Sequence, residues 1–251
     1  MANFIDNYYK EISSSLQVLI MPVVWLIVAS FLLLSEPDFG ATVVIVLTFT
    51  SMIFVAGASM RPLIILSALA VVILGCLAYF SPYRLMRMTT FMHPWDYAYS
   101  SGYQLTQSLI AFGRGGWFGA GLGESIQKLL YLPEAHTDFL FAVLAEELGL
   151  MGILLVLLLY SILIFRGLII GHVAYCQERF FASYTAYGLT FWLGFQATIN
   201  IGVNAGLLPT KGLTLPFLSY GGASMIVDCI LIALLLRIDH ENRWQALGLR
   251  V

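Results

Sequence analysis

The sequence predicts an all-α polytopic membrane protein, with about six transmembrane helices and one large extracytoplasmic loop. Three observations carry the prediction. Of the 251 residues, 60% are hydrophobic and only 10% charged, with a mean hydropathy of +0.88; a soluble domain carries about 25% charged residues. Apolar runs of the ~18 or more residues that a ~30 Å hydrocarbon core requires recur at about 16–34, 40–58, 62–80, 139–165, 180–207 and 217–238. The short alternating segments of a barrel are missing, so backbone groups in lipid must be satisfied inside helices. The whole chain, 1–251, reads as one integral membrane domain. A net charge of −2 and the lack of a basic tract give no footing for a nucleic-acid partner.

Residues 1–15 are polar and carry acids and a base, and no small-residue cleavage site follows the first apolar run. That run therefore reads as a retained span rather than a signal peptide. It ends at Ser35-Glu36-Pro37-Asp38-Phe39-Gly40, where Pro37 and Gly40 punctuate a turn. Ser59-Met60-Arg61 joins the second and third spans, with Pro62 at the first helical position. Residues 81–138 form the one long hydrophilic region, edged by aromatics such as Tyr79, Trp95, Tyr97, Tyr99, Trp117 and Tyr131 that suit a membrane interface. Cys76, Cys176 and Cys229 are widely spaced in or beside apolar runs and read as packing residues. Near the short loops, Lys10, Arg61, Arg166, Arg179, Arg237, Arg243 and Arg250 fall on one side and Lys211 on the other. This asymmetry makes both termini cytoplasmic and turns 81–138 outward.

The segment from Leu130 to Gly149 starts polar and ends apolar. Asp138 stands just before the apolar run, where it reads either as a helix N-cap or as a general base or metal ligand at the outer surface. Glu134 and His136 alternate with it after Pro133, and a cap alone needs neither. Glu146 and Glu147 lie inside the run, where carboxylates are costly. Being adjacent, they point about 100° apart and cannot form a dyad; a structural hydrogen-bonding role is favoured over catalysis. The glycine-rich stretch from Gly113 to Gly123 reads as a flexible interfacial loop or as a backbone cradle for phosphate. Arg114, Lys128 and Lys211 share the outer side with Asp138 and suit a diphosphate-bearing lipid head group; Lys211 alone also reads as a snorkelling lysine. Gln196, Asn200 and Asn204 recur at i, i+4 and i+8, one helix face, as glue between helices or as cavity lining. Residues 207–222 hold two prolines and form a shaped, re-entrant turn, and Asp228 falls inside the last span, where polar residues of neighbouring helices are its expected partners.

Several ordered motifs resemble the SEDS family, the shape, elongation, division and sporulation proteins typified by FtsW and RodA. They are Pro37-Asp38-Phe39-Gly40, Tyr103-Gln104 with Gln107-Ser108, the 119–123 glycines, Leu132-Pro133-Glu134-Ala135-His136-Thr137-Asp138-Phe139, Glu146-Glu147-Leu148-Gly149, Asn200-Ile201-Gly202, Leu208-Pro209-Thr210-Lys211-Gly212 and Pro216-Phe217-Leu218-Ser219-Tyr220-Gly221-Gly222. The Pro-Thr-Lys-Gly form looks more like the division member than the elongation member. The resemblance covers the last six of the family's usual ten spans, as an N-terminally shortened member would. Leu130 stands where relatives often carry an acid, and Asp228 is atypical.

The resemblance implies a peptidoglycan glycosyltransferase of the bacterial inner membrane. Such an enzyme polymerises lipid II, a disaccharide-peptide on undecaprenyl pyrophosphate, at the outer face of the membrane during septal wall synthesis. Asp138 would be the catalytic base, with Arg114, Lys128, Lys211, Glu134, His136, Gln107, Ser219 and Tyr220 at the substrate. The implied partners are a class B penicillin-binding transpeptidase and other division proteins. Diphosphate chemistry is compatible with Mg²⁺, although no octahedral oxygen set can be read from the spacing. Two other readings stand beside this one: a lipid II transporter, which would place its decisive polar groups at the bilayer midplane, and a non-catalytic membrane scaffold for the division machinery.

Overall fold

The structure, a computed structural model, describes residues 1–12, 16–36, 38–58, 64–65, 68, 72, 75, 79, 82–129, 131–210 and 212–248. Among them there are helices and turns and no strand. The order is α1 (Ala2–Ile12), a 3₁₀ turn (Leu16–Leu19), α2 (Ile20–Ser35), α3 (Phe39–Val55), α4 (Pro82–Met92), α5 (Tyr103–Gly115), a second 3₁₀ turn (Gln127–Leu129), α6 (Leu140–Cys176), α7 (Phe180–Asn204) and α8 (Gly222–Ala246). The expected span at 62–80 lies mostly outside the described residues, as do Pro37, Lys211 and the Ser59-Met60-Arg61 link.

The boundaries have local causes. Asp38 caps α3 by accepting the Ala41 N–H at 2.9 Å. Residues 81–138, expected as a loop, instead contain α4 and α5. In α5 the buried residues Leu105, Ser108 and Ala111 recur every third position, the spacing of a packed helix face; a hydropathy scan misses helices this polar. The last helix starts later than expected, because Phe217 turns the chain with a φ of 65°, and it continues past 238. Its end is held by i, i+4 pairs, Arg237 to Glu241 at 2.6 Å and Arg243 to Asp239 at 2.7 Å. Among the described residues, only α6 is both long enough and apolar enough to cross a membrane; its most apolar window has a mean hydropathy of 2.8 and is only 17% buried. Helices α2 and α3 are apolar but have 16 and 17 residues. Helices α7 and α8 have 25 each but carry polar side chains.

The chain forms two compact units. The first comprises residues 1–72, 162–195 and 226–251. Its core gathers Ile5, Leu19, Met52, Ile53, Ala56 and Tyr184. A polar cluster ties its helix ends. Asn242 donates to the Ile170 carbonyl at 3.1 Å, and Gln177 donates to the Asn242 carbonyl at 2.9 Å. Arg179 reaches both Asn242 and Glu241. Asp228 is buried in this unit. The second unit comprises 73–161 and 196–225. Its two apolar clusters centre on Phe139, Ala142 and Val203 and on Phe141, Val156 and Leu215.

Burial pushes the Glu241 carboxyl up, but hydrogen bonds and charge from Arg237 and Arg179 hold it below the ordinary carboxylate range. A depressed folded pKa gives stabilisation that is complete above the unfolded value of about 4.3 and is lost as pH falls through the folded value. Glu241→Gln should therefore melt below the parent at pH 7, with the gap closing below about pH 4. Thermal unfolding in detergent from pH 7 to pH 3 checks this; a gap that does not vary with pH would contradict the ion-pair account.

Candidate active site

The second unit holds a polar pocket of about 310 Å³ lined by Arg87, Gln104, Glu134, Asp138, Phe139, Thr210 and Gly212. Four stretches supply these residues: α4, α5, the 132–139 turn and the 207–215 turn. Arg87 donates to the Thr210 carbonyl at 3.0 Å and so ties α4 to the last of these. Asp138 is half-buried at the mouth of α6. An atom placed at the Cβ position of Gly212 would lie 3.1 Å from the Asp138 Oδ2, so a larger residue there would crowd the carboxylate.

The turn carrying Asp138 is held on several sides. Asn200 and Asn204, both buried, each donate a side-chain N–H to the Asp138 carbonyl at 2.9 Å. Asn204 also accepts the Ala142 N–H at 3.1 Å, a donor shared with the Phe139 carbonyl at 3.0 Å in the first turn of α6. Asn200 reaches the Leu213 carbonyl as well. Gln196 donates to the Thr214 carbonyl at 3.1 Å, so all three members of the polar stripe bond to other segments. Ser219 donates to the Thr137 carbonyl at 2.5 Å and accepts the Leu215 N–H at 2.8 Å. The Tyr220 N–H donates to the His136 carbonyl at 2.8 Å. Glu134 has a φ of 58° and accepts the Thr137 hydroxyl at 2.7 Å.

Ten residues into α6 the helix breaks at Gly149, whose φ is 65° and ψ −162°. The glycine-rich loop fills the break. Ala120 and Gly121 donate N–H bonds to the carbonyls of Glu146 and Glu147 at 2.9 and 3.1 Å. In turn, the N–H groups of Leu150 and Met151 reach the carbonyls of Gly116 and Trp117 at 2.9 and 3.2 Å. The N–H groups of Gly119, Ala120 and Gly121 are thus committed to backbone carbonyls, which leaves fewer loop donors for a phosphate than the sequence suggests. The close approach requires glycine: a Cβ at Gly115 or Gly119 would fall 2.0 Å from the carbonyl oxygen of Ala145 or Glu147.

Glu146 is fully buried. Its carboxylate accepts from Arg114 at 2.9 Å, the Ser125 hydroxyl at 2.5 Å and the backbone N–H groups of Ile126 and Gln127 at 3.2 Å each. Glu147 takes Lys128 at 2.5 Å. Both acids therefore hold structure, and the two cations expected to face a diphosphate instead neutralise them.

The remaining expected residues are more scattered. His136, Ser219 and Tyr220 line a second, apolar groove of about 700 Å³ with Leu140, Leu218 and Met225. Gln107 is half-buried on α5, while Gln104, one turn earlier, lines the polar pocket. Arg87, Gln104 and Thr210 went unnoticed as site residues. The signal available for Arg87 was a cation in a short helical stretch ahead of the Tyr103-Gln104 motif. Among the described residues no three His, Cys, Asp or Glu side chains cluster as metal ligands. The polar pocket lining includes two carboxylates, Glu134 and Asp138, together with the guanidinium-bearing Arg87.

Comparison with known proteins bears on this site. The sequence profile of the FtsW/RodA/SpoVE cell cycle protein family matches residues 1–244. The probable peptidoglycan glycosyltransferase FtsW of Legionella pneumophila is 66% identical over 250 residues, covering 100% of this chain and 64% of that protein. Its counterpart in Coxiella burnetii is 54% identical over 242 residues, covering 96% and 65%. Among solved structures, a chain of a peptidoglycan synthase complex that coordinates polymerization and crosslinking superposes with a TM-score of 0.74 at 26% identity, covering 95% of this chain and 66% of that one. The rod shape determining protein RodA of Thermus thermophilus gives 0.62 at 26% identity, covering 96% and 64%. The chain thus spans just under two thirds of the length of these FtsW relatives.

The geometry separates the two glutamates. Glu146→Ala removes the partner of four donors in a buried site and should cost about 3–5 kcal/mol of unfolding free energy. Glu147→Ala breaks a more exposed pair and should cost about 1 kcal/mol or less. Gly119→Ala meets a backbone oxygen at a φ of +80° and should cost about 3 kcal/mol or more. Unfolding of the purified variants in detergent ranks all three.

Proposed function

The chain belongs to the FtsW/RodA/SpoVE family of cell cycle proteins, and from that premise we propose that it is a peptidoglycan glycosyltransferase polymerising lipid II in septal wall synthesis. The observation that carries the reading is the polar pocket, which Asp138 lines together with Arg87, Gln104 and Glu134. Asp138 takes the proton from the acceptor sugar hydroxyl. The freed oxygen bonds to the anomeric carbon of the donor, the bond from that carbon to the diphosphate breaks with inversion, and undecaprenyl diphosphate leaves with the electron pair. Asp138, Glu134 and Arg87 face the reacting sugars and the diphosphate. Arg87 is a guanidinium suited to bidentate phosphate contact, and Lys211, next in sequence to Thr210, adds a second cation. Arg114 and Lys128 hold the loop between α5 and the 132–139 turn to α6 through Glu146 and Glu147. The apolar groove beside His136 suits part of the isoprenoid chain.

The site works at the outer face of the inner membrane, with both termini cytoplasmic and six spans in this chain. A class B penicillin-binding transpeptidase crosslinks the glycan strands, together with other division proteins. The proposal favours polymerisation over transport because Asp138 and its pocket lie at the mouth of α6, not midway along it.

The test is lipid II polymerisation by the purified protein in detergent, with its cognate transpeptidase. The parent should make glycan chains. Asp138→Asn should lose at least ~10³-fold in rate while keeping its melting temperature. Glycan synthesis by Asp138→Asn at the parental rate would remove Asp138 as the base.

A further inference from the structure

We propose that Asn200 and Asn204 are positioning residues that aim the Asp138 carboxylate and set the width of the gap opposite it. The proposal rests on the reading of Asp138 as the base. Polar side chains on membrane helices usually join helix to helix, and such bonding asks only that each amide find some partner. Here two amides from successive turns of α7 converge on a single carbonyl, that of Asp138, at 2.9 Å each. Both lone pairs of that oxygen are taken, so the peptide plane leaving Asp138 is pinned. Only the side-chain torsions of Asp138 then remain to place its carboxylate.

The orientation of the Asn204 amide follows from its other bonds. Its Oδ1 accepts the Ala142 N–H at 3.1 Å, an N–H shared with the Phe139 carbonyl, and this turns its Nδ2 to the other side, where it donates to the carbonyls of Asp138 and Asn200 at 2.9 Å each and to the Asn200 Oδ1 at 3.2 Å. Ser108 donates to the Asn204 backbone carbonyl at 2.7 Å and steadies the end of α7 from α5. Asn200 donates to Leu213 too, and Leu213 adjoins Gly212, the wall that stands 3.1 Å from the Asp138 Oδ2 at its Cβ position. One asparagine therefore bonds to both sides of the gap in which the acceptor hydroxyl has to sit. A misplacement near 1 Å of a reacting group costs roughly 10²-fold in rate, so such a brace acts on turnover more than on binding.

Asn204→Asp tests this with a change of one group. It keeps the oxygen that accepts from Ala142 and replaces the donor to Asp138 with a second oxygen. Asn200→Ser is measured beside it, because it removes one of the two donors without adding charge. In polymerisation assays of the full-length protein, kcat should fall about 10- to 100-fold with KM for lipid II within about 3-fold. An unchanged kcat in folded variants, or a raised KM at the parental kcat, overturns the proposal.

A second readout does not depend on turnover: labelling of Asp138 by a water-soluble carbodiimide, quantified by mass spectrometry across pH. Glu134 serves as the internal reference, since its carboxylate bonds Thr137 in its own turn. The variants should change the Asp138 labelling rate several-fold, or displace its pH profile, relative to Glu134. Unchanged labelling in both variants overturns the positioning role. If the parent makes no glycan, the functional reading of the pocket fails, and the labelling result still decides whether the asparagines aim the carboxylate.

Discussion

A helix that breaks inside an apolar environment must find new partners for the peptide groups it releases, and the second unit is arranged around that demand. At Gly149 the helix direction changes and the carbonyls of Glu146 and Glu147 and the N–H groups of Leu150 and Met151 lose their usual partners. Lipid offers nothing to replace them. The loop after α5 supplies all four bonds, and it does so by bringing backbone against backbone, which is why Gly115 and Gly119, where the approach is closest, are glycine. The buried Glu146 then fastens the far end of the same loop through Ser125, Ile126 and Gln127, with Arg114 balancing its charge.

A similar economy operates at the mouth of α6. The polar stripe of α7 is spent largely on main-chain groups of the 138 and 213–214 segments. Irregular backbone is thereby held in place without regular secondary structure, and side chains such as Asp138, Glu134 and Thr210 are left to line the pocket. The turn that carries Ser219 and Tyr220 contributes through the same kind of bond, to the carbonyls of Thr137 and His136.

The all-helical class and most helix positions were legible because long apolar runs leave few alternatives. Asp138 stood out because a carboxylate flanked by Glu134 and His136 exceeds what a cap requires. What stayed hidden depended on contacts distant in sequence. Arg114 and Lys128 looked like free cations, but their partners lie 32 and 19 residues away, and nothing in local spacing announces such pairs. The glycines between 113 and 123 looked like an anion cradle or a slack loop, since the requirement at Gly115 and Gly119, a backbone passing at contact distance, belongs to α6. Helices α4 and α5 were missed because their threonines, glutamines and arginines lower the local hydropathy below that of a span, although the period of a packed face was there to be read.

The distribution of apolarity among the helices has a consequence for how the chain enters a membrane. Helix α6 can leave an insertion channel sideways on its own hydrophobicity. Helix α7 brings three amides, and α8 a buried aspartate, which make solitary partitioning unfavourable. The partners of the α7 amides are the 138 carbonyl, made earlier in synthesis, and the 213–214 carbonyls, made later. Its release into lipid therefore belongs after both flanking segments have emerged, so that biogenesis of this region proceeds in a block rather than helix by helix.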